Sequence, residues 1–448
     1  MKLNTINTAK KIFFTVLAYS LMIGCLQARD LSLDRAIELA WFNNKDMQIA
    51  DLNIEEKQNS AIMANSAKHF RIDAAIDCGV NYLNKEDIAF VNNYLDPNAP
   101  LIPRKYTIDN SSFYQATLNL NLVKPIYDFG KLESLVKIAR FNSDISNYEK
   151  EQIRREVKYA TTIAYYNALL ADSLLTFSKK TYESALISKK ILIDTSDIPY
   201  KIDLIRVESY ISFQKAEVLK AEQFMKESYL ILKNICNISY DESITIKADS
   251  KIKNIYLNQN EFEQILLNYP ESKILKVSAE IHKNLADAKK TEKFPEITAY
   301  LGYTGKLFSN KISFEEPMAE NIIYAGIKIQ APLRDNGLTD LASQKEIIEE
   351  QKIKLAYVKY YKDLEKKFLN MLEKYRINLE IYENQKKSVE LAQKAYDLSV
   401  SRFKVGQTSI VELNDTDSNL TDAVKGTYLL FFEIKTLEAQ IERLIGVL

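Results

Sequence analysis

The sequence predicts an α+β membrane protein built twice from one plan: very long coiled-coil helices folded into hairpins and joined to four membrane-length β-strands. Three observations predict it. Residues 131–198 and 338–405, 68 residues each, contain neither glycine nor proline. Each stretch is entered through a similar junction, VKPIYDFG with Pro125, Asp128 and Gly130, and QAPLRDNG with Pro332, Asp335 and Gly337, at a constant offset of 207 residues. Repetition at such a period marks two structural copies in one chain. Four segments, two before each junction, alternate apolar and polar residues at the period of a strand. At 1.5 Å per residue each long helix reaches roughly 100 Å, several times the width of an ordinary domain, so the protein must use that length.

The amino terminus reads as an export signal. Lys2, Lys10 and Lys11 precede an apolar run from Ile12 to Gly24 that is too short to span a bilayer. Cleavage after Ala28 fits this pattern, while LMIGC, ending in Cys25, resembles the site at which a cysteine becomes lipidated. The remaining cysteines, Cys78 and Cys236, stand in dissimilar segments and are expected to be single structural residues.

Composition excludes several classes. Lysine plus arginine number 60 and aspartate plus glutamate 60, so no global charge favours nucleic acid or an anionic membrane surface. No glycine falls between Gly130 and Gly302 and no proline after Pro332, a distribution unlike that of a compact enzyme with many active-site loops. His69 and His282 are expected near helix ends as surface residues, and no phosphate-cradling glycine loop or metal-spaced cysteine and histidine cluster occurs, so no cofactor is expected.

A first helix is expected from about Leu31 to Phe70. The strands follow: Ile72, Ala74, Ile76, Cys78, Val80 and Tyr82 alternate with Asp73, Asp77 and Asn81, and Tyr114, Ala116, Leu118, Leu120 and Leu122 with Gln115, Thr117, Asn119 and Asn121. The second copy repeats the pair with Ile297, Ala299, Leu301 and Tyr303, then Ile323, Ala325, Ile327, Ile329 and Ala331 against Tyr324, Lys328 and Gln330. One greasy and one wet face at this length suits a membrane-spanning barrel. Four strands are too few to close one, because the smallest barrels have about eight, and open edges in lipid leave backbone groups unpaired. Several chains must share one barrel; three would give about twelve strands.

The second long helix carries Tyr361, Phe368, Tyr375, Tyr382, Val389, Tyr396 and Phe403 at intervals of seven, a coiled-coil seam. Gly406 ends it, and a helix starting near Ser409 returns antiparallel, with Leu413, Leu420, Ile434 and Ile441 on one row. In the first copy Asp197 and Pro199 mark the equivalent bend, with Pro199 in the first turn of the return helix. The expected organisation is a signal peptide over 1–28 and two repeats. The first repeat, 29–250, has strands near 71–83 and 113–123, a long helix near 131–196 and a hairpin turn near 197–203. The second, 251–448, has strands near 296–304 and 322–332, a long helix near 338–405 and a turn near 404–412.

Together the export signal, LSLDRAIELAWFNN at the mature start, the KPIYDFGK and APLRDNGL junctions, and FKVGQTSIVELNDTDSNL at the second hairpin resemble the TolC family of outer membrane efflux proteins. The resemblance spans nearly the whole mature chain. It implies a homotrimer whose twelve-stranded barrel sits in the outer membrane lipid of a Gram-negative bacterium and continues as a twelve-helix α-barrel through the periplasm. It also implies partners, a periplasmic adaptor (membrane fusion) protein and an inner membrane RND or ABC transporter, and a role as a passive duct. A periplasmic coiled-coil scaffold without channel activity is the rival expectation.

The resemblance further implies that Glu412 and Asp415, three residues apart and so on one helix face, line a constriction at the periplasmic end. Threefold repetition would make a ring of six carboxylates that favours cations. Phe403 stands where a hydrogen-bonding tyrosine can occur, and Thr408 where an arginine can. At the first hairpin Asp203 and Arg206 occupy the corresponding positions, as a gate-side clasp or as an ordinary surface pair.

Overall fold

The computed structural model describes residues 29–83, 86–91, 102–107, 111–195, 201–247, 251–253, 255, 259–309 and 318–446. The expected signal segment with Cys25, and Pro199 at the first hairpin turn, lie outside the described residues. In chain order the elements are β1 (Arg29–Leu31), α1 (Leu33–Asn43), α2 (Lys45–Ser66), β2 (Arg71–Leu83), β3 (Glu86–Val91), β4 (Ile102–Thr107), β5 (Ser111–Tyr127), α3 (Lys131–Thr195) and α4 (Lys201–Cys236). There follow β6 (Ile244–Ile246), α5 (Gln259–Asn268), α6 (Pro270–Thr291), β7 (Glu296–Ser309), β8 (Met318–Gln330), α7 (Leu338–Lys404) and α8 (Ile410–Ile445). The chain divides into a sheet-bearing unit, Ile54–Ile145 with Lys276–Leu355, and a helical unit, Met1–Asn53 with Ser146–Leu275 and Ala356–Leu448.

In the sheet-bearing unit β2, β5, β7 and β8 form one antiparallel sheet in that order. Register follows the alternation read from sequence. Leu118 faces Ile76 and Gly305 across the ladder, while Asn119 faces Ala75 and Thr304. Directly opposed residues share a face, so Ile72, Ile76, Val80, Leu120, Leu301, Ile323, Ile327 and Ile329 stand together, and each is between 39% and 77% exposed. The other face carries Asp73, Asp77, Asn119, Asn121, Thr304, Tyr324 and Lys328. Across it the Thr304 hydroxyl donates to Asn119 Oδ1 at 2.9 Å and Tyr324 to Asn121 Oδ1 at 2.6 Å.

Tyr324 reaches Asn121 by lying over Gly302, the residue opposite it, and Tyr300 lies likewise over Gly326. A Cβ on Gly302 would stand 2.2 Å from the Tyr324 ring, and one on Gly326 would stand 2.6 Å from the Tyr300 hydroxyl. These glycines exist to seat the two rings. The strands run further than expected: β5 extends over 17 residues, past a register shift between Pro125 and Tyr127, where proline has no N–H for the ladder.

Both long helices begin on the same device. The Asp128 carboxylate accepts from the Gly130 and Leu132 amides at 3.1 and 2.6 Å, and Asp335 from Gly337 and Thr339 at 3.0 and 3.3 Å. The intervening backbone is left-handed at two successive residues, Phe129 and Gly130 (φ 55° and 91°) and Asn336 and Gly337 (52° and 80°). Only glycine takes such angles without cost, which accounts for the repeated Asp-x-Gly.

In the helical unit side chains of α7 and α8 pack together in one core. Phe368 and Tyr375 of the heptad row are buried, with Leu364 and Met371, against Ile434, Leu437, Ile441 and Leu444; Phe262 and Leu266 of α5 cover them. Further along, the neighbouring row becomes polar. Asn378 and Ser399 are buried, and Gln385 donates to the Ala423 carbonyl at 3.1 Å. A second core lies around Tyr165, Ala168, Leu232 and Cys236, with β1 and β6 paired in parallel over three residues. Burial pushes the Cys236 thiol up to about 11, so it is an inert packing residue. Cys78, the other described cysteine, is also free and is exposed.

Between the repeats, the connector is held by two buried tyrosines. Tyr165 donates to the Lys247 carbonyl at 2.6 Å, and Tyr375 donates to that of Lys253. Lys435 and Glu438, both buried, form a 2.8 Å ion pair beside it; Lys435 also donates to the Lys251 carbonyl and Glu438 accepts from the Lys253 amide.

Two expectations are corrected. The single helix from Leu31 to Phe70 is two helices, because Asn44 takes extended backbone (ψ 128°) and its side chain accepts from the Met47 amide at 2.9 Å, an N-cap that restarts the helix. His282 lies within α6 rather than near its end, half-buried with Nδ1 2.7 Å from Glu346; His69 is exposed in the turn after α2.

Candidate functional site at the hairpin ends

The site is built from the closing turns of the helical unit. Helix α7 stops because Gly406 is left-handed (φ 71°), and its amide donates to the Phe403 carbonyl at 3.1 Å while Gln407 donates to Arg402 at 2.9 Å. That pair of bonds closes the helix terminus as a Schellman motif. Two residues later Ser409 caps α8, its hydroxyl accepting from the Glu412 amide at 3.2 Å. The whole reversal, from Lys404 to Ile410, is thereby fixed by backbone and cap bonds.

Glu412 and Asp415 are both exposed in the first turns of α8, where a negative side chain suits the positive end of the helix dipole. Thr408, at the position where an arginine can occur, donates its hydroxyl to the Glu412 carboxylate and holds it beside the turn. Between the two acids Leu413 is buried and anchors the helix. Leu413 packs with Leu192, Val207, Ile410 and Phe403 in one cluster that joins the ends of both hairpins. Phe403 therefore contributes packing, with no hydroxyl to bond. In the first hairpin Arg206 Nη1 lies 3.3 Å from Asp203 Oδ1 one turn away on α4, with the arginine half exposed: an ion pair within a single helix.

A link absent from the sequence expectations lies just beyond the cluster. Asp417 is 7% exposed and its Oδ2 accepts from the Tyr210 hydroxyl at 2.6 Å, joining α8 to α4. Further along Lys425 of α8 pairs with Glu217 of α4 at 2.8 Å. The two hairpins are thus tied together by polar bonds between buried or half-buried side chains. Burial raises the Asp417 carboxyl above its ordinary range, and the Tyr210 hydrogen bond opposes this by less. The signal was in the spacing: Leu413, Asp417 and Leu420 fall at i, i+4 and i+7, the buried row of the helix.

Among the described residues no group of histidine, cysteine and carboxylate side chains could hold a metal ion. No described helix is long and apolar enough to cross a membrane.

Neither a protein-family model nor a curated protein sequence matches the chain. Solved structures do match, over nearly its full length. The CusC transmembrane channel superimposes with a TM-score of 0.76 at 15% identity, covering 93% of this chain and 92% of that one. The Campylobacter jejuni CmeC outer membrane channel does so with 0.76 at 16% identity, covering 92% and 85%. The open state of the Neisseria gonorrhoeae MtrE outer membrane channel gives 0.75 at 14% identity, covering 95% and 93%. Identities this low speak for architecture alone, and the architecture of this chain is the fold of the TolC-family outer membrane channels.

Proposed function

We propose that the chain is an export duct of the outer membrane of a Gram-negative bacterium. Copies of it complete one barrel in the lipid, and the long helices carry the passage into the periplasm. The observation that carries this reading is the four-stranded sheet. One face is apolar and exposed, the opposite face bears carboxylates, amides and hydroxyls, and β2 and β8, the edges of the sheet among the described residues, run in opposite directions. In lipid such edges need partners, and β8 of one copy offers β2 of the next an antiparallel one. Three copies, the number the TolC-family resemblance of the sequence implies, would give about twelve strands. A periplasmic scaffold has no use for such a sheet.

The duct conducts passively, and its energy comes from an inner membrane RND or ABC transporter reached through a periplasmic adaptor protein. Glu412 and Asp415 form the cation-attracting constriction at the hairpin ends, with the Gly406 turn and the first hairpin's Asp203–Arg206 pair beside it. Mass measurement of the detergent-solubilised particle tests the reading: a trimer is expected, retained in membranes under urea extraction, and a folded monomer released by urea would overturn it.

A further inference from the structure

A cavity of about 310 Å³ opens in the helical unit, well along the helices from the hairpin ends. Its walls include Tyr159, Tyr269 and Tyr360, its floor is apolar at Leu364, and Glu271 and Asp363 supply carboxylates. The volume is at the lower end of small-molecule sites, which combine apolar and aromatic walls with a few polar groups.

The charges in and around it are unequally committed. Arg443 lies 5.3 Å from the centroid of the Tyr159 ring and is bound to Glu156 at 2.6 Å. Arg155 lies 5.2 Å from the Tyr269 ring and is bound to Glu151. Each of these guanidinium groups thus has a carboxylate partner, although Arg155 Nε is buried and donates no hydrogen bond among the described residues. Glu271 differs: its Oε2 atom is buried and accepts no hydrogen bond among the described residues. A buried acceptor without a donor is costly, so the absence asks for one. Lys367, also on the lining, belongs to an exposed stretch of α7.

The aromatic walls select the sign of that donor. Tyrosine faces attract cations, and two of the three rings already carry one. After burial, Glu271 is the next largest influence raising the hydroxyls of both Tyr269 and Tyr360, opposed by Arg443 at both and by Arg155 at Tyr269.

We propose that this cavity binds a small organic ammonium ion, its N–H donating to Glu271, its charge against the Tyr360 and Tyr269 rings, and its hydrocarbon part on the apolar floor. An anion would have no donor to offer Glu271 Oε2 and would be repelled by Glu271 and Asp363. A neutral molecule would forgo both the charge-assisted bond and the ring faces. This inference does not rest on the duct reading, since it concerns binding and not conduction.

The test uses the full-length protein in detergent and isothermal titration with phenethylammonium, compared with 2-phenylethanol and 3-phenylpropionate as neutral and anionic counterparts. Saturable binding of the ammonium is expected, with the counterparts weaker by about tenfold or more. Glu271→Gln should weaken the ammonium by about tenfold. Tyr360→Phe should retain binding, because the ring face suffices, and Tyr360→Ala should lose it. Equal affinity for the alcohol and the ammonium, or wild-type affinity in Glu271→Gln, would overturn the proposal. If Glu271→Gln does not assemble, the Tyr360 pair decides: equal affinity in Tyr360→Ala and Tyr360→Phe overturns it as well.

Discussion

Tyr210 and Asp417 are 207 residues apart in sequence, and a 2.6 Å hydrogen bond joins them. That separation equals the offset between the Asp128 and Asp335 junctions, and the bond connects the return helices of the first and second hairpins.

The burial of Asp417 makes a pH signature. With its carboxyl raised by burial, Asp417 holds a proton more tightly in the native than in the unfolded chain. Its contribution to stability is therefore fully present below the unfolded carboxyl value, about 3.9, and is lost as pH rises through the native value. Asp417→Asn still accepts from Tyr210 and should remove this component from a plot of melting temperature against pH. Tyr210→Phe, which leaves a buried carboxylate without its donor, should cost about 1–3 kcal/mol at neutral pH. Superimposable pH profiles for wild type and Asp417→Asn would refute the assignment.

The sheet faces are separable by charge. Arginine at Leu118 or Leu120 should cost about 2–4 kcal/mol if the apolar face meets the bilayer midplane, whereas arginine at Asn119 should be tolerated on the wet face. The yield of assembled protein in membranes measures both, and equal losses would contradict the assignment of faces.

Gly302 and Gly326 should resist substitution for a reason unrelated to backbone freedom. Valine at Gly302 must displace the Tyr324 ring and its bond to Asn121, at a cost of about 1–3 kcal/mol. At Gly79, where nothing lies within 4 Å of an added Cβ, alanine should be harmless. The temperature at which the assembled species dissociates on a gel reads the difference, and equal effects at Gly79 and Gly302 would argue against seated rings.

At the mouth, Glu412→Gln with Asp415→Asn should reduce cation preference and block by multivalent cations in planar bilayers, while assembly persists. The second outcome follows from the structure, because both carboxylates are exposed and the packing around them belongs to Leu413, Ile410 and Phe403. Unchanged selectivity and block would remove these two residues from the constriction.

The sequence made the periodic parts legible. Alternation placed Leu118 and Asn119 on opposite faces, and the seven-residue row from Tyr361 to Phe403 ran along the packed seam. Where periodicity ended, so did the reading. The β1–β6 pair is three residues long and joins segments 215 residues apart, too short to show a pattern. Asn44 interrupts a helix through one side-chain bond, a cap that looks like any surface asparagine. The acidic pair at 412 and 415 was visible as a motif, but Asp417, two residues on, was hidden beside it. Its importance depends on Tyr210, which only the assembled hairpins bring near.

The hold on the connector between the repeats has an evolutionary consequence. Tyr165, Tyr375, Lys435 and Glu438 address main-chain carbonyls and an amide at Lys247, Lys251 and Lys253. Every amino acid presents that carbonyl. Mutations along the connector can therefore accumulate with little penalty, and the constraint falls on the two phenols and the buried ion pair that grip it. Such a joint lets the sequence of the connector drift while the elements it joins stay in step.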